Sequence, residues 1–161
     1  MEEENDMERL YQMANQYTID LRAVSQEDGQ VKIYTDKQIY PVEREMSFDI
    51  ENDQLTSLDH FVGGIASAIL LSLIKADRRK GFIEEMEGKF SFQLSNPLYY
   101  CDVQGYDQPT TLTEVNLRLY LISFEKEEDL AKLIKEALSH CILYQTLKNT
   151  INFHIDWKVT F

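Results

Sequence analysis

The sequence predicts a mixed α+β domain with its elements in the order βββ-α-ββ-α-β. The longest uncharged run, residues 61–74, is typical of a buried helix and is shorter than the roughly 20 residues that span a bilayer. Residues 151–161 alternate between apolar and polar side chains, which indicates a strand with one buried face. Asp28-Gly29 lies between two β-rich segments and predicts a hairpin turn, because glycine accepts a positive φ.

The chain is expected to fold as one domain. Its 161 residues suit a single hydrophobic core. Residues 1–16 are predicted to be an acidic N-terminal extension with a short, frayed helix, and residues 17–161 to be the domain. Three strands are expected to open this domain, over residues 17–24, 31–42 and 45–50.

A long central helix is predicted over about residues 57–79. Thr56 and Asp59 have the three-residue spacing of a capping box. Gly63 and Gly64 lie in the helix interior, where each costs about 1 kcal/mol relative to alanine. Close approach of another backbone would compensate for this cost. The neighbour could belong to the same chain or to a second copy of the helix, and the sequence favours neither.

The second half of the chain adds three further elements. Strands are predicted over residues 82–94 and 114–121, on either side of a turn region rich in proline, glycine and aspartate. A second helix begins near Glu127 and carries apolar residues at helical spacing as far as Cys141. The alternating strand over 151–161 completes the domain.

Charge and leader properties exclude several classes of partner. Lysine and arginine total 16 against 28 for aspartate and glutamate, so the net charge is −12 and phosphate backbones would be repelled. We therefore expect no nucleic-acid or membrane partner. The first ten residues are acidic where a secretory leader would be basic, which favours the cytoplasm and reduced cysteines.

Motifs for metal, serine or nucleotide chemistry are not found in the sequence. Cys101 and Cys141 form no CxxC pair, and three histidines give no zinc-ligand spacing. The "GGIAS" segment lacks the GxSxG spacing of a hydrolase elbow, and no phosphate-binding glycine loop occurs. Cys141 remains as a candidate nucleophile. Its place on an apolar stripe favours a structural thiol, and the adjacent His140 points about 100° away on a helix.

Three segments resemble the OsmC/Ohr family of thiol-dependent peroxide-reducing proteins. They are the central helix of small residues, "GFIEEMEGKF" (81–90) and "EEDLAKLIKEALSHCILYQTL" (127–147) before a final strand. The resemblance covers most of the chain after Tyr17. It implies an OsmC-like domain, an intertwined homodimer and no cofactor. In that family a cysteine on the central helix attacks the peroxide, and the cysteine of a CPV motif resolves it as a disulfide.

The resemblance places an incomplete thiol pair in this chain. Cys141 takes the position of the resolving cysteine, and Ala68 takes that of the attacking cysteine. The family's proline-glutamate pair is replaced, and Asp59 is the candidate substitute for its carboxylate. Glu27 lies where the hydroperoxide-reducing branch has an arginine. Ile142 replaces the proline of CPV, so the helix is predicted to continue through Cys141.

These departures lead to competing hypotheses of function. The first is a catalytically impaired family member that binds a small apolar molecule at the dimer interface. The alternative is an active one-cysteine peroxidase that uses Cys141 on an organic hydroperoxide. A third is a structural or regulatory dimer without a ligand. A reactive Cys141 should be solvent-reachable beside a charged group, whereas a ligand site should be an apolar cavity near Ala68. No stable disulfide is expected between Cys101 and Cys141.

Overall fold

The computed structural model describes Met7, residues 15–43 and residues 54–160, and it divides the chain into two compact units, Met1–Leu58 and Asp59–Phe161. From the central helix onward the elements follow the predicted order, with one short extra helix and a divided second helix. The strands and helices are β1 (Arg22–Ser25), β2 (Val31–Tyr34), β3 (Ile39–Val42), α1 (Ser57–Asp77), β4 (Glu85–Ser95), α2 (Pro97–Tyr100), β5 (Thr111–Ile122), α3 (Glu127–His140), α4 (Ile142–Leu147) and β6 (Asn152–Thr160).

The first unit contains an antiparallel sheet in the order β1-β2-β3. The predicted turn between β1 and β2 is present, with Gly29 at a φ of 87°. The prediction of a single strand over residues 31–42 is wrong, because these residues form a hairpin of β2 and β3. Thr35 makes this turn: its hydroxyl accepts hydrogen bonds from the backbone N–H groups of Lys37 and Gln38 at 3.2 and 3.0 Å. Most of the predicted N-terminal helix and the strand over 45–50 lie outside the described residues.

The second unit is built on a sheet in the order β4-β5-β6, with β4 antiparallel and β6 parallel to β5. Alternation places one apolar side chain after another on the face that meets the helices. Leu119 lies at its centre, paired with Gly88 on one side and Trp157 on the other. The buried core joins this face to α1 and α3, with members Ile65, Ile69, Leu73, Leu117, Leu119, Leu121, Ile134, Ala137 and Cys141.

Gly88 lets α1 lie close to the sheet. A Cβ built on Gly88 would be 3.1 Å from Leu70 Cδ2 of α1 and 2.7 Å from Phe90 Cε2 of its own strand. Both distances are shorter than a comfortable carbon contact of about 3.5–4.0 Å. The missing side chain therefore makes room for Leu70 against β4.

The turn after α1 is fixed by Asp77. Its carboxylate accepts hydrogen bonds from the backbone N–H groups of Phe82 and Ile83 at 2.8 and 3.2 Å. Gly81 has a φ of 63°, a left-handed conformation that glycine adopts without steric cost. This turn ends the helix and directs the chain into β4.

The central helix is buried on one face only. The sequence predicts an apolar stripe of Leu58, Phe61, Val62, Ile65, Ile69 and Leu73. The last three are buried, whereas Phe61, Leu71 and Ile74 are 43%, 62% and 51% exposed. Among the described residues, α1 alone is long and apolar enough to cross a membrane by length and composition, and 17% of its apolar window is buried. Packing on the sheet accounts for one face of this helix and leaves the other apolar face open.

Candidate functional site

The chain bends at Cys141, between α3 and α4. Cys141 has extended backbone angles, φ −80° and ψ 109°, and its carbonyl accepts the first hydrogen bond of α4 from Gln145 N–H at 2.9 Å. The prediction that the helix continues through this position is wrong. The side chain of Gln145 explains the break, because its amide donates to the Leu138 carbonyl at 2.9 Å and satisfies the end of α3.

The thiol of Cys141 is completely buried, with 0% of the residue exposed. It belongs to the apolar cluster formed by α1, α3 and the sheet, together with Ile69 and Leu119. Leu138, Leu143 and other half-buried apolar side chains pack against the same cluster. This burial agrees with the structural thiol that the apolar stripe predicts, and it differs from the solvent-reachable position that a reactive thiol requires.

Ala68 lies on α1, is half-buried and packs against the cluster that contains Cys141. Of the two positions that the resemblance pairs, Cys141 is thus a member of this core cluster and Ala68 packs against it. Asp59 does not join them. It is exposed in the first turn of α1, nine residues before Ala68, a distance of about 13 Å along a helix axis.

His140 and Cys101 lie apart from this cluster. His140 is exposed, and its Nδ1 is 3.0 Å from the Glu136 carbonyl and 3.1 Å from Ser139 Oγ. The ring therefore contacts the preceding turn of α3. Cys101 is exposed in the segment after α2, and both cysteines are free thiols. Whether they pair under oxidation stays a prediction for experiment.

Gln145 is a site residue that the sequence pattern does not reveal. It lies on α4 among polar and apolar residues without any periodic signal. Its role depends on a hydrogen bond that spans seven residues, back to Leu138. A polar residue four positions after a helical cysteine is the available signal, and that pattern alone is too common to predict a helix break.

Comparison with known proteins identifies the fold. No protein-family model and no curated protein sequence matches the chain. Solved structures do match it over almost its whole length. An OsmC-like protein from Mycoplasma pneumoniae is 20% identical, with a TM-score of 0.67 and coverage of 89% of this chain and 96% of that one.

Two organic hydroperoxide resistance proteins are also similar. OhrB of Bacillus subtilis is 15% identical, with a TM-score of 0.59 and coverage of 88% of this chain and 98% of that one. The protein from Elizabethkingia anophelis is 15% identical, with a TM-score of 0.63 and coverage of 91% and 97%. The resemblance predicted from the sequence is confirmed at the level of the fold, and the chain is a mixed α+β protein with the OsmC/Ohr fold.

Proposed function

We propose that this chain is a catalytically impaired relative of the thiol-dependent peroxide-reducing proteins, which keeps their homodimer and binds a small apolar molecule at the dimer interface. The observation that carries the proposal is the pair Ala68 and Cys141. The position assigned to the attacking cysteine carries no sulfur, and the remaining thiol is enclosed by apolar side chains. A thiol that attacks a peroxide must be ionised and accessible.

The homodimer is supported by apolar surface in both units. Phe61, Leu71 and Ile74 of α1 are each more than 40% exposed. In the first unit, none of the described residues 15–43 is buried, although a three-stranded sheet needs a packed face for stability. A second copy that covers α1 would remove this surface from water. We further propose that the protein is soluble and cytoplasmic, in keeping with its net charge of −12.

A hydroperoxide-reduction assay tests the impaired reaction. With an organic hydroperoxide as substrate and a dithiol as reductant, the purified protein should give no turnover above the rate without protein. If turnover is measured, and if Cys141→Ala abolishes it while Cys101→Ser leaves it unchanged, the chain is a one-cysteine peroxidase and the proposal is wrong.

The variant Ala68→Cys tests the assignment of the two positions. Mild oxidation should link the new cysteine to Cys141, seen as the loss of two hydrogen atoms in the mass and as one linked peptide pair. Ser67→Cys is the matched control, because Ser67 is exposed and, as the neighbour of Ala68 on α1, points about 100° away from it. An Ala68→Cys protein that stays reduced while Cys141 is intact would contradict the correspondence.

A further inference from the structure

A groove of about 590 Å³ lies among α3, α4 and β6, within the second unit. Its lining includes Phe153, Ile155 and Trp157, three residues that alternate along one face of β6. Consecutive members of such a set are about 6.6 Å apart, so this part of the groove extends for about 13 Å. The volume is within the range of small-molecule sites in proteins, about 300–1,000 Å³.

The charge of the groove is opposite to that of the whole chain. Its lining contains Lys135 and Lys148 and no aspartate or glutamate, although the chain carries a net charge of −12. Lys148 Nζ donates to Gln145 Oε1 at 2.6 Å. Neither lysine forms an ion pair within the described part of the chain. Two ammonium groups beside a mostly apolar surface are suited to one anionic group on an apolar molecule.

One residue of the groove lining, Trp157, also carries a buried polar atom without an acceptor. Trp157 Nε1 is buried and has no hydrogen-bond partner among the described residues. A buried donor left unsatisfied is unfavourable, and a tryptophan N–H that is buried usually finds an acceptor. An acceptor supplied by a bound molecule, reached by a small movement of the indole, would satisfy this donor.

The lining of the groove is aromatic as well as apolar. The rings of Tyr144 and Phe153 meet edge to face, with centroids 5.1 Å apart and an interplanar angle of 71°. Together with Trp157 they offer ring faces and edges to a flat ligand. We propose that this groove binds a small aromatic monocarboxylate, with its ring against Phe153 and Trp157 and its carboxylate on Lys135 and Lys148. This site is separate from the Ala68–Cys141 pair and does not depend on the proposed function.

Trp157 makes the test direct, because it is the only tryptophan in the chain. Titration with phenylpropanoate should change its fluorescence to saturation at one site per chain. Phenylpropanol, which has the same ring without the charge, should bind about tenfold more weakly or worse, since hydrogen bonds to charged groups contribute about 1.5–3 kcal/mol. Decanoate, which has the charge without the ring, should also bind more weakly.

Variants assign the binding to the groove. Lys135→Gln combined with Lys148→Gln should weaken phenylpropanoate binding about tenfold or more. Lys132→Gln is the matched control. Lys132 lies on the same helix as Lys135, pairs with Asp129 at 3.2 Å and does not line the groove. Trp157→Phe should weaken binding severalfold, as measured by calorimetry. The substitution removes the N–H donor, and the loss is limited because an aromatic ring is kept.

Three outcomes would overturn the proposal. One is equal affinity for the acid and the alcohol, and another is equal loss of affinity in the double variant and the Lys132→Gln control. The third is the absence of saturable binding both by Trp157 fluorescence and by calorimetry. None of these results bears on hydroperoxide turnover or on the Ala68→Cys disulfide, so failure here is distinguishable from failure of the proposed function.

Discussion

Cys141 should resist alkylation in the folded protein, and this prediction separates a structural thiol from a reactive one. The perturbation is a small thiol reagent such as iodoacetamide, added under native conditions. Cys101 is exposed and Cys141 is buried, so one chain supplies both the test and its internal control. Cys101 should react at the rate of a free thiol, and Cys141 should react only through transient opening of its surroundings.

The protection can be estimated from the packing around the thiol. Access requires the segment around the break between α3 and α4 to leave the cluster on which Leu138 and Leu143 pack. Exposing a fully buried leucine side chain costs about 1.5–3 kcal/mol. Leu138 and Leu143 are already partly exposed, so exposing both costs about 2–4 kcal/mol. At the upper end of this range, an opening free energy of about 4 kcal/mol corresponds to labelling about a thousandfold slower than at an open thiol.

Peptide mass spectrometry at timed intervals measures both rates in one sample. In denaturant the two cysteines should be labelled at similar rates, which controls for intrinsic reactivity. If Cys141 in the native protein reacts within about tenfold of Cys101, the apolar cluster does not protect the thiol. The structural interpretation of Cys141 would then be refuted, and the one-cysteine peroxidase would become the better hypothesis.

Three further predictions concern stability and assembly. Gly88→Ala should lower the free energy of unfolding by about 1–2 kcal/mol, measured by chemical denaturation. Overpacking against Phe90 costs about 1–3 kcal/mol, which exceeds the gain of about 0.5–1 kcal/mol from replacing a glycine in a strand. Unchanged stability would contradict this packing. The Lys80 ammonium, 2.5 Å from the exposed Glu136 carboxylate, lowers the pKa of that carboxyl. The ion pair therefore stabilises the fold at pH values above the ordinary pKa of glutamate, and this stabilisation is lost as the pH falls through the lowered pKa. The difference in Tm between wild type and Lys80→Gln should therefore shrink on acidification, and a constant difference would show that the ion pair is not its source. Sedimentation should give about twice 18.9 kDa for the wild type and a weaker dimer for Gly63→Ala, whereas a wild-type monomer would exclude the interlocked homodimer.

Local periodicity was sufficient to predict most of the second unit. The alternation over 151–161 predicts β6, observed as Asn152–Thr160, because a period of two fits a strand with one buried face. The apolar stripe predicted for the central helix likewise contains its three buried residues, Ile65, Ile69 and Leu73, although the stripe also included Phe61, which is 43% exposed. Both signals are repeated over many residues of one element, so no knowledge of the rest of the chain is needed.

The prediction failed where one side chain decides the backbone path. Thr35 turns the chain in the middle of a β-rich segment, and Gln145 supports a helix break that no proline marks. Each effect rests on one or two hydrogen bonds to backbone groups a few residues away. Such bonds leave no periodic signal, and threonine and glutamine also occur in uninterrupted strands and helices.

The two candidate sites differ in how far the sequence could predict them. Ala68 and Cys141 are assigned by resemblance, and the fold brings both to one cluster. The groove has no equivalent signal, because Lys135, Tyr144 and Trp157 belong to three elements. Only the packing of α3 and α4 beside β6 brings them together. The groove lining contains no acidic residue, and this property depends on the tertiary packing of the three elements, so it cannot be predicted from any one of them.

Gly63 bears on whether the glycines of the central helix pack against their own chain or against a second copy of the helix, which the sequence leaves open. Apart from its chain neighbours and the nearby backbone of its own helix, a Cβ built on Gly63 would have no described atom within 4 Å, and one on Gly64 would touch only Leu143 Cδ1, at 3.8 Å. Close packing against the described residues of the second unit therefore does not explain the glycine at 63. In an isolated chain, Gly63→Ala should stabilise α1 by about 1 kcal/mol, because alanine is the better helix former. A second α1 against the open face would reverse that sign, since the added methyl group would then separate two helices whose backbones meet at glycine.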